Sequence, residues 1–302
     1  MPEPASIRLE EAVDLAHAWL QKTAEARGIR VLFIKGPALH RQGLRSPRVS
    51  GDVDVLVEPA RFGEFCSHLV AGGWEQRESI LLGELTTLHS KTYLREGWPC
   101  DIDVHIHYPG FLGDDADVFE ALWARRTQIE FAHQACFVPN RVASVLILAL
   151  HSLRGTAAQE RHAVELRELL EVDLTDAERT QLAHLAAATG SAETLQSVLS
   201  RLGANAPTPA GDPSPALREW RERVDAGSVG AYQWIVAFRR TRGIAKLHIL
   251  WRALWPSDHD LLLSHPELPD AFWPKLQGRV ARWGRGLRSL PRAVRAIWHN
   301  RG

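Results

Sequence analysis

The chain contains 302 residues, of which 24% are charged and 45% hydrophobic, and its 36 basic residues balance its 36 acidic ones. This composition is typical of a globular protein, and it excludes collagen-like, disulfide-rich and wholly disordered classes. The length is sufficient to bury a substantial core and suggests about two domains.

Cysteine usage and hydropathy indicate where such a protein works. Cys66, Cys100 and Cys136 form neither a CxxC pair nor a dense framework, which favours a reducing compartment. The N-terminal residues lack a basic segment followed by an apolar run, so we expect no signal peptide. The longest apolar stretch, residues 142–153, is shorter than the roughly 20 residues of a membrane span. We therefore expect a soluble, cytoplasmic protein.

The N-terminal part of the chain mixes helical and strand patterns. Apolar spacing predicts helices over 7–27, from Pro37 to about 43, and from Pro59 to about 72, with strands at 29–34 and 53–57. A run of β-prone residues after Trp74 ends at residue 94, and a turn at 95–97 joins it to a strand at 100–108. This arrangement predicts a β-hairpin.

From Asn140 onward the patterns are helical. Asn140 is a predicted helix cap, and Thr175 with Glu178 forms a predicted capping box. Predicted helices cover 142–155, 157–172, 175–190, 191–202, 216–226, 228–242 and 244–255, with a proline-rich loop at 203–215. The sequence thus predicts an α+β protein, with a small mixed-sheet domain and its flanking helices at 1–139 and an all-helical domain at 140–302.

Two acidic strands carry the clearest chemical pattern. Because side chains alternate along a strand, Asp52 and Asp54 share one face while Val53 and the following valines enter the core. Residues 101–107 repeat this pattern, with Asp101, Asp103, His105 and His107 alternating with apolar residues. If the two strands are neighbours, three or four carboxylates meet at one end of the sheet. Such a site suits Mg²⁺, which binds carboxylates together with substrate phosphates.

Cationic and glycine residues precede the first acidic strand. Gly36 allows a ligand to approach the backbone closely, and the start of the helix that follows it favours an anion. Lys35 and Arg48 add positive charge for phosphate, and Gly51 leads directly into the acidic strand. Phosphate-binding groups beside clustered carboxylates are typical of a metal–nucleotide site.

These motifs resemble a known family. Lys35-Gly36, the segment from Arg48 through Gly51-Asp52-Val53-Asp54, and Asp103-Val104-His105 are similar to signatures of uncharacterised bacterial nucleotidyltransferases of the polymerase-β-like superfamily. Members of that family occur in gene clusters for lasso peptides and surface polysaccharides. Residues 148–151, ending at His151, resemble the Leu-x-x-His helix of the family, and the likeness extends over roughly residues 10–290.

The resemblance implies specific roles. Asp52 and Asp54 would hold two Mg²⁺ ions, and Asp103 would be the third carboxylate and the base that activates an acceptor hydroxyl. The donor would be a nucleoside triphosphate, with ATP the expected one, and the acceptor an unnamed small molecule, peptide or protein. His105 and His151 are further candidate site residues.

The sequence departs from the family at two positions. Superfamily members with well-understood chemistry carry Gly-Ser before the first helix, whereas Pro37 follows Gly36 here, which places more of the phosphate binding on Lys35. The acid expected near the end of the second helix of the helical half is Glu171.

Two alternatives remain open. His105-x-His107 is a common Zn²⁺ half-site that Asp101 or Asp103 could complete, which would indicate a metal-dependent hydrolase. The missing serine instead suits a catalytically inactive nucleotide-binding scaffold.

The C-terminal tail is basic and amphipathic. Residues 271–302 contain eight Lys and Arg and no acid, which leaves 28 basic and 36 acidic residues in the first 270. The apolar positions share helical spacing: Val280, Trp283, Leu287, Leu290, Val294 and Trp298. We expect this stripe to pack on the acidic remainder of the chain, in a helix interrupted or restarted at Pro291. A membrane-surface role is the alternative, and a nucleic-acid substrate is disfavoured because the rest of the chain is acidic.

Overall fold

The structure is a computed structural model that describes residues 7–86, 89–154, 160–207, 211–227 and 230–300. Its strands are β1 (Val31–Ile34), β2 (Asp52–Val57), β3 (Glu75–Gln76), β4 (Ser90–Leu94), β5 (Asp101–His105), β6 (Arg126–Phe131) and β7 (Gln134–Pro139). Its first helices are α1 (Leu9–Glu25), α2 (Gly36–Arg41), α3 (Phe62–Ala71), α4 (Leu81–Thr86), α5 (Asp115–Trp123), α6 (Arg141–Arg154) and α7 (Glu160–Leu170). The later helices are α8 (Asp176–Ala188), α9 (Gln196–Arg201), α10 (Pro215–Ala226), α11 (Ala231–Arg240), α12 (Ala245–Leu254), α13 (Asp258–Ser264) and α14 (Phe272–His299).

The chain forms two compact units. The first consists of Met1–Arg77, His89–Leu153 and Gln159–Asp212, and the second of Glu78–Leu88, Arg154–Ala158 and Pro213–Gly302. Both candidate acidic strands, and helices α6 to α9, belong to the first unit. The fold is mixed α+β, as the sequence predicts.

A five-stranded mixed sheet organises the first unit. Its strand order is β1-β2-β5-β4-β3, with β2 and β5 parallel and the other pairs antiparallel. Val53, Val55 and Val57 on β2 are fully buried in the core, together with Ile102 and Val104 on β5. The alternation of valine and aspartate therefore fixes which face of β2 enters the core. The antiparallel pairing of β4 with β5 confirms the predicted hairpin.

Two helices of the first unit, α6 and α8, begin at the predicted caps. The Ala143 amide donates to Asn140 Oδ1 over 3.0 Å at the start of α6. Thr175 and Glu178 form the predicted capping box before α8. Helix α6 is buried on nearly every side, which explains its continuous apolar sequence. The predicted helix over 157–172 is observed from Glu160, and residues 157–159 lie outside the described part.

Several elements differ from the sequence predictions. Helix α4 lies within the run predicted to be β-prone, and α5, α13 and the β6–β7 hairpin have no predicted counterpart. The turn of that hairpin places Ala132 and His133 at φ values of 45° and 63°. Such turns usually carry Asn-Gly or Asp-Gly, so this one has no sequence signal.

The C-terminal helix differs from its prediction in two respects. Helix α14 continues through Pro291, which is exposed, so that water can reach the backbone carbonyl left without its helical donor. The six apolar side chains of the predicted stripe, from Val280 to Trp298, are 40–75% exposed rather than buried. No helix among the described residues combines the length and the hydropathy needed to cross a membrane.

Candidate active site

The two acidic strands are neighbours, which is the condition for their carboxylates to meet. In the parallel pairing of β2 with β5, Asp52 lies opposite Asp101 and Asp54 lies opposite Asp103. The Asp101 amide also donates to the Gly51 carbonyl over 3.2 Å, which joins the start of β2 to β5. The topology therefore brings carboxylates from both strands to one region of the sheet.

Asp54 is the most enclosed of these acids, with a side chain only 4% exposed. Its Oδ1 atom lies 2.6 Å from Lys35 Nζ and accepts a hydrogen bond from His105 Nε2 over 2.9 Å. Burial by itself would raise the pKa of Asp54, but the positive charge of Lys35 and the His105 hydrogen bond outweigh it and hold that pKa well below its usual range. Asp54 is therefore a buried carboxylate that remains ionised.

The pKa of Asp52 is shifted in the opposite direction. Burial, followed by repulsion from Asp54, raises its pKa, and Asp103 adds to the effect. Lys35 and a 3.1 Å hydrogen bond from Ser50 Oγ to Asp52 Oδ1 oppose this shift without cancelling it. Asp52 therefore takes up a proton more readily than a free carboxyl group does, mainly because it is buried.

The acids of β5 have separate partners. Asp103 Oδ1 accepts a hydrogen bond from Thr92 Oγ1 over 2.5 Å, across the β4–β5 pairing. Asp101 forms a salt bridge with Arg77 at 2.5 Å. The fourth predicted carboxylate, Asp101, is therefore neutralised locally.

A sharp turn between β1 and α2 positions Lys35. Lys35 and Gly36 have φ values of 63° and 54°, a region that L-residues other than glycine rarely adopt. Arg45, which is buried, donates from Nη2 to the Gly36 carbonyl over 2.7 Å. The turn directs the Lys35 ammonium to Asp54, and the opposing effects of burial and of the Asp54 charge sum to a raised Lys35 pKa.

A second ionic cluster lies around Glu165, a residue that no motif in the sequence indicated as a site residue. Glu165 on α7 is 2% exposed and forms a salt bridge with Arg48, with Arg45 Nη1 3.8 Å from its Oε1 atom. His151 Nε2 and His162 Nδ1 each lie 3.5 Å from Glu165 Oε2. Glu171, the acid expected to have a site role, is exposed in the turn that follows α7. Glu165, and not Glu171, is therefore the acid of this segment that pairs with Arg48 and Arg45.

The described residues contain two groups whose donor atoms lie within 4.8 Å of one another. One is Asp54, Asp103 and His105, and the other is His151, His162 and Glu165. The charge of Glu165 is already balanced by Arg48 and Arg45, so the second group is best described as an ion-pair network. His107 belongs to neither group, because it lies beyond the end of β5 with its Nδ1 atom 3.6 Å from Asp115.

Comparisons with known proteins identify the family. A model of the family described as uncharacterised nucleotidyltransferase matches residues 14–204. No functionally curated protein matches the sequence.

Three solved structures are similar at low identity. An antigenic nucleotidyltransferase-like protein from Paracoccidioides brasiliensis is 12% identical, with a TM-score of 0.38 over 63% of this chain and 93% of that one. The lincomycin-bound lincosamide antibiotic adenylyltransferase LnuA is 11% identical, with a TM-score of 0.31 over 58% and 96%. A tRNA-processing enzyme in an apo form is 10% identical, with a TM-score of 0.27 over 98% and 91%. These scores are too low to transfer a substrate. The family match covers more than half of the chain, which therefore belongs to the uncharacterised nucleotidyltransferases, a class of transferase enzymes.

Proposed function

We propose that this nucleotidyltransferase moves a nucleoside monophosphate group from a nucleoside triphosphate, with ATP the expected donor, to a hydroxyl of a small molecule, peptide or protein. The observation that supports the proposal most is the parallel pairing of β2 with β5, which sets Asp52 opposite Asp101 and Asp54 opposite Asp103, with Lys35 Nζ 2.6 Å from Asp54. The family identity supports transfer of a nucleotidyl group over the hydrolase alternative.

The three carboxylates fit a site for Mg²⁺. Mg²⁺ prefers oxygen ligands and is usually held by one or two carboxylates plus substrate phosphates. The raised pKa of Asp52, which follows from burial and the charges of Asp54 and Asp103, indicates a region where a cation relieves repulsion. Asp52, Asp54 and Asp103 would hold two ions, and these would offset the negative charge that develops on the phosphate oxygens during transfer.

Asp103 is the proposed base for the acceptor hydroxyl. The hydrogen bond from Thr92 Oγ1 to Asp103 Oδ1 fixes the orientation of this carboxyl group on β5. A positioned carboxylate can accept the hydroxyl proton as the oxygen attacks the α-phosphorus. The bond from the α-phosphorus to the acceptor oxygen then forms, and the bond to the leaving pyrophosphate breaks.

Arg48 and Lys35 have different proposed roles. The Arg48 side chain is 37% exposed and is held at one end by Glu165, so its guanidinium can meet phosphate oxygens from solvent. Lys35 is only 13% exposed and binds Asp54, so its main proposed role is to keep Asp54 ionised. Gly36 and Gly51 provide backbone positions without side chains. Apart from their own chain neighbours, no atom would lie within 4 Å of a β-carbon at either position. This leaves room for a nucleotide beside the turn.

The free cysteines and the histidines support further parts of the proposal. We propose that the protein acts in the cytoplasm, because Cys66, Cys100 and Cys136 are all buried free thiols. Among the described residues, His107 does not belong to the group of possible metal ligands that contains Asp103 and His105, which disfavours the Zn²⁺ hydrolase. His105 is instead proposed to hold Asp54, and His151 to support Glu165.

Calorimetric titration with ATP, GTP, CTP and UTP tests the proposal. Each nucleotide would be titrated with Mg²⁺, with Zn²⁺ and with EDTA, into the native chain and into Asp52→Asn/Asp54→Asn. Asp101→Asn serves as the matched control, since that residue lies on the neighbouring strand but pairs with Arg77. We expect Mg²⁺-dependent binding that only the double variant loses. Tight Zn²⁺ uptake without nucleotide binding would support the hydrolase, and nucleotide binding that is indifferent to Mg²⁺ would support the inactive scaffold.

A further inference from the structure

The second unit exposes many large apolar side chains. On α14, Trp283, Leu287 and Trp298 are 40%, 68% and 75% exposed. On α12, Leu247, Trp251 and Leu254 are 61–64% exposed. Contiguous apolar patches of this kind are uncommon on soluble proteins and mark interaction sites.

Helix α14 is anchored by a different face. Ala293, Ala296 and Ile297 are buried against Tyr232 and Val236 of α11. The two alanines let the helices approach closely, which turns the large side chains of the stripe outward. The exposure of the stripe is therefore a consequence of how α14 packs.

Helices α12 and α14 present their apolar residues together. The Trp283 ring centroid lies 6.2 Å from that of Trp255, and Trp283 Nε1 donates to the Leu254 carbonyl over 2.6 Å. Between the helices lies a cavity of about 850 Å³, lined by residues that include Leu250, Leu254, Trp283, Leu287 and Leu290. We call nine of the exposed apolar residues of these two helices the α12–α14 surface. Its members are Leu247, Leu250, Trp251, Leu254, Trp283, Leu287, Leu290, Val294 and Trp298.

Positive charge is interleaved with this surface. Helix α14 contains no acidic residue. Near its start, Lys275 and Arg279 are neutralised by salt bridges to Asp258. Further along, Arg288 and Arg295 are exposed, and within the described part of the chain no carboxylate lies within 4.0 Å of either. The C-terminal half of the helix therefore presents guanidinium groups between exposed tryptophan and leucine side chains.

We infer that the α12–α14 surface binds an anionic lipid surface. Interleaved arginine and tryptophan or leucine residues on an amphipathic helix match the boundary between charged headgroups and acyl chains, where such helices lie parallel to the membrane. Arginine can extend its guanidinium to the headgroups while its methylenes stay with the apolar side chains. Tryptophan suits the same boundary because its ring is apolar and its N–H is polar.

Vesicle flotation with the full chain tests the inference. The vesicles would be pure phosphatidylcholine, or phosphatidylcholine with about one third phosphatidylglycerol. Because a basic residue near an anionic surface contributes about fivefold to binding, Arg288→Gln/Arg295→Gln should weaken binding by about 25-fold. Leu287→Ser/Trp298→Ser should weaken it by more than tenfold, since both side chains would lose their apolar contact. Binding should also fall in high salt.

Matched variants on the first unit serve as controls. Val70→Ser removes an apolar side chain that is 57% exposed, and Arg201→Gln removes an exposed charge, and neither should alter flotation. Circular dichroism checks that every variant is folded. Three results would overturn the inference: no binding to anionic vesicles, equal binding to both vesicle types, or dimers in solution that Leu287→Ser/Trp298→Ser abolishes. The last result would assign the surface to a second copy of the chain.

Discussion

Replacing Lys35 by methionine tests how the buried carboxylate of Asp54 is stabilised. The variant keeps the length of the side chain but removes the ammonium that lies 2.6 Å from Asp54 Oδ1. Asp54 is only 4% exposed, so water cannot replace the lost charge. Breaking a buried ion pair at one partner typically costs about 3–5 kcal/mol. His105 retains one hydrogen bond to Asp54 but does not replace the lost ion pair, so we expect a loss in this range.

A double-mutant cycle separates the interaction energy of Lys35 with Asp54 from any general destabilisation that each substitution causes by itself. Asp54→Asn alone leaves the Lys35 charge buried, so it should also destabilise the protein, whereas Lys35→Met/Asp54→Asn leaves neither charge. We expect the double variant to lose about 2 kcal/mol less than the sum of the single losses. The free energy of unfolding would be measured by urea titration, with Lys22→Met on the exposed side of α1 as the control. Additivity within about 0.5 kcal/mol would refute the coupling.

The pH dependence of the same variants gives an independent check. Since folding lowers the pKa of Asp54, its contribution to stability is present above the unfolded value of about 3.9 and is lost as pH falls through the folded value. In Lys35→Met, burial is opposed by His105 alone, so Asp54 takes up a proton at higher pH. The stability difference between the native chain and the variant should therefore be largest near pH 7 and shrink in acid. A difference that grows in acid would contradict the assignment.

Three further predictions concern the surrounding residues. Glu165→Gln should cost about 3 kcal/mol in urea titration and weaken ATP binding, because it removes the carboxylate that faces the buried Arg45 charge and holds Arg48, whereas exposed Glu171→Gln should change neither. Gly36→Ala should cost about 1 kcal/mol for its positive φ alone, while Gly51→Ala, with equal space and no positive φ, should cost less than about 0.5 kcal/mol. Burial lowers the pKa of His17 to about 4, so stability should fall between about pH 6.5 and 4, and His17→Phe should flatten that part of a melting-temperature profile.

The acidic strands could be predicted from the sequence because their pattern has one physical interpretation. The alternation of valine and aspartate on β2 requires the valines to enter the core, so the carboxylates must share the other face. The parallel pairing of β2 with β5 could only be stated as a condition, since strand order depends on contacts that are distant along the chain.

Glu165 could not be identified in the same way. It lies on α7, a helix with many charged residues, and nothing local distinguishes it from its exposed neighbours. Its burial follows from Arg48 and Arg45, which are more than 100 residues earlier in the chain. The spacing of His162 and Glu165, three residues apart on one helix face, was the one available signal.

The apolar stripe of α14 shows a different limit of prediction from sequence. Its spacing correctly predicted an amphipathic helix, but an amphipathic pattern does not say which face is buried. The alanine face of α14 packs on α11 because small side chains allow closer helix contact, and the larger apolar face remains exposed. The pattern thus predicted the helix but not its orientation.

The most direct test of the proposed function follows the phosphate that is transferred. The chain would be incubated with Mg²⁺, a metabolite extract as the source of acceptors, and ATP labelled at either the α- or the γ-phosphorus. The account predicts that α-label enters an acceptor and γ-label appears as pyrophosphate, and that Asp52→Asn/Asp54→Asn abolishes both. Transfer of γ-label to the acceptor, or transfer of α-label that survives in the double variant, would contradict it.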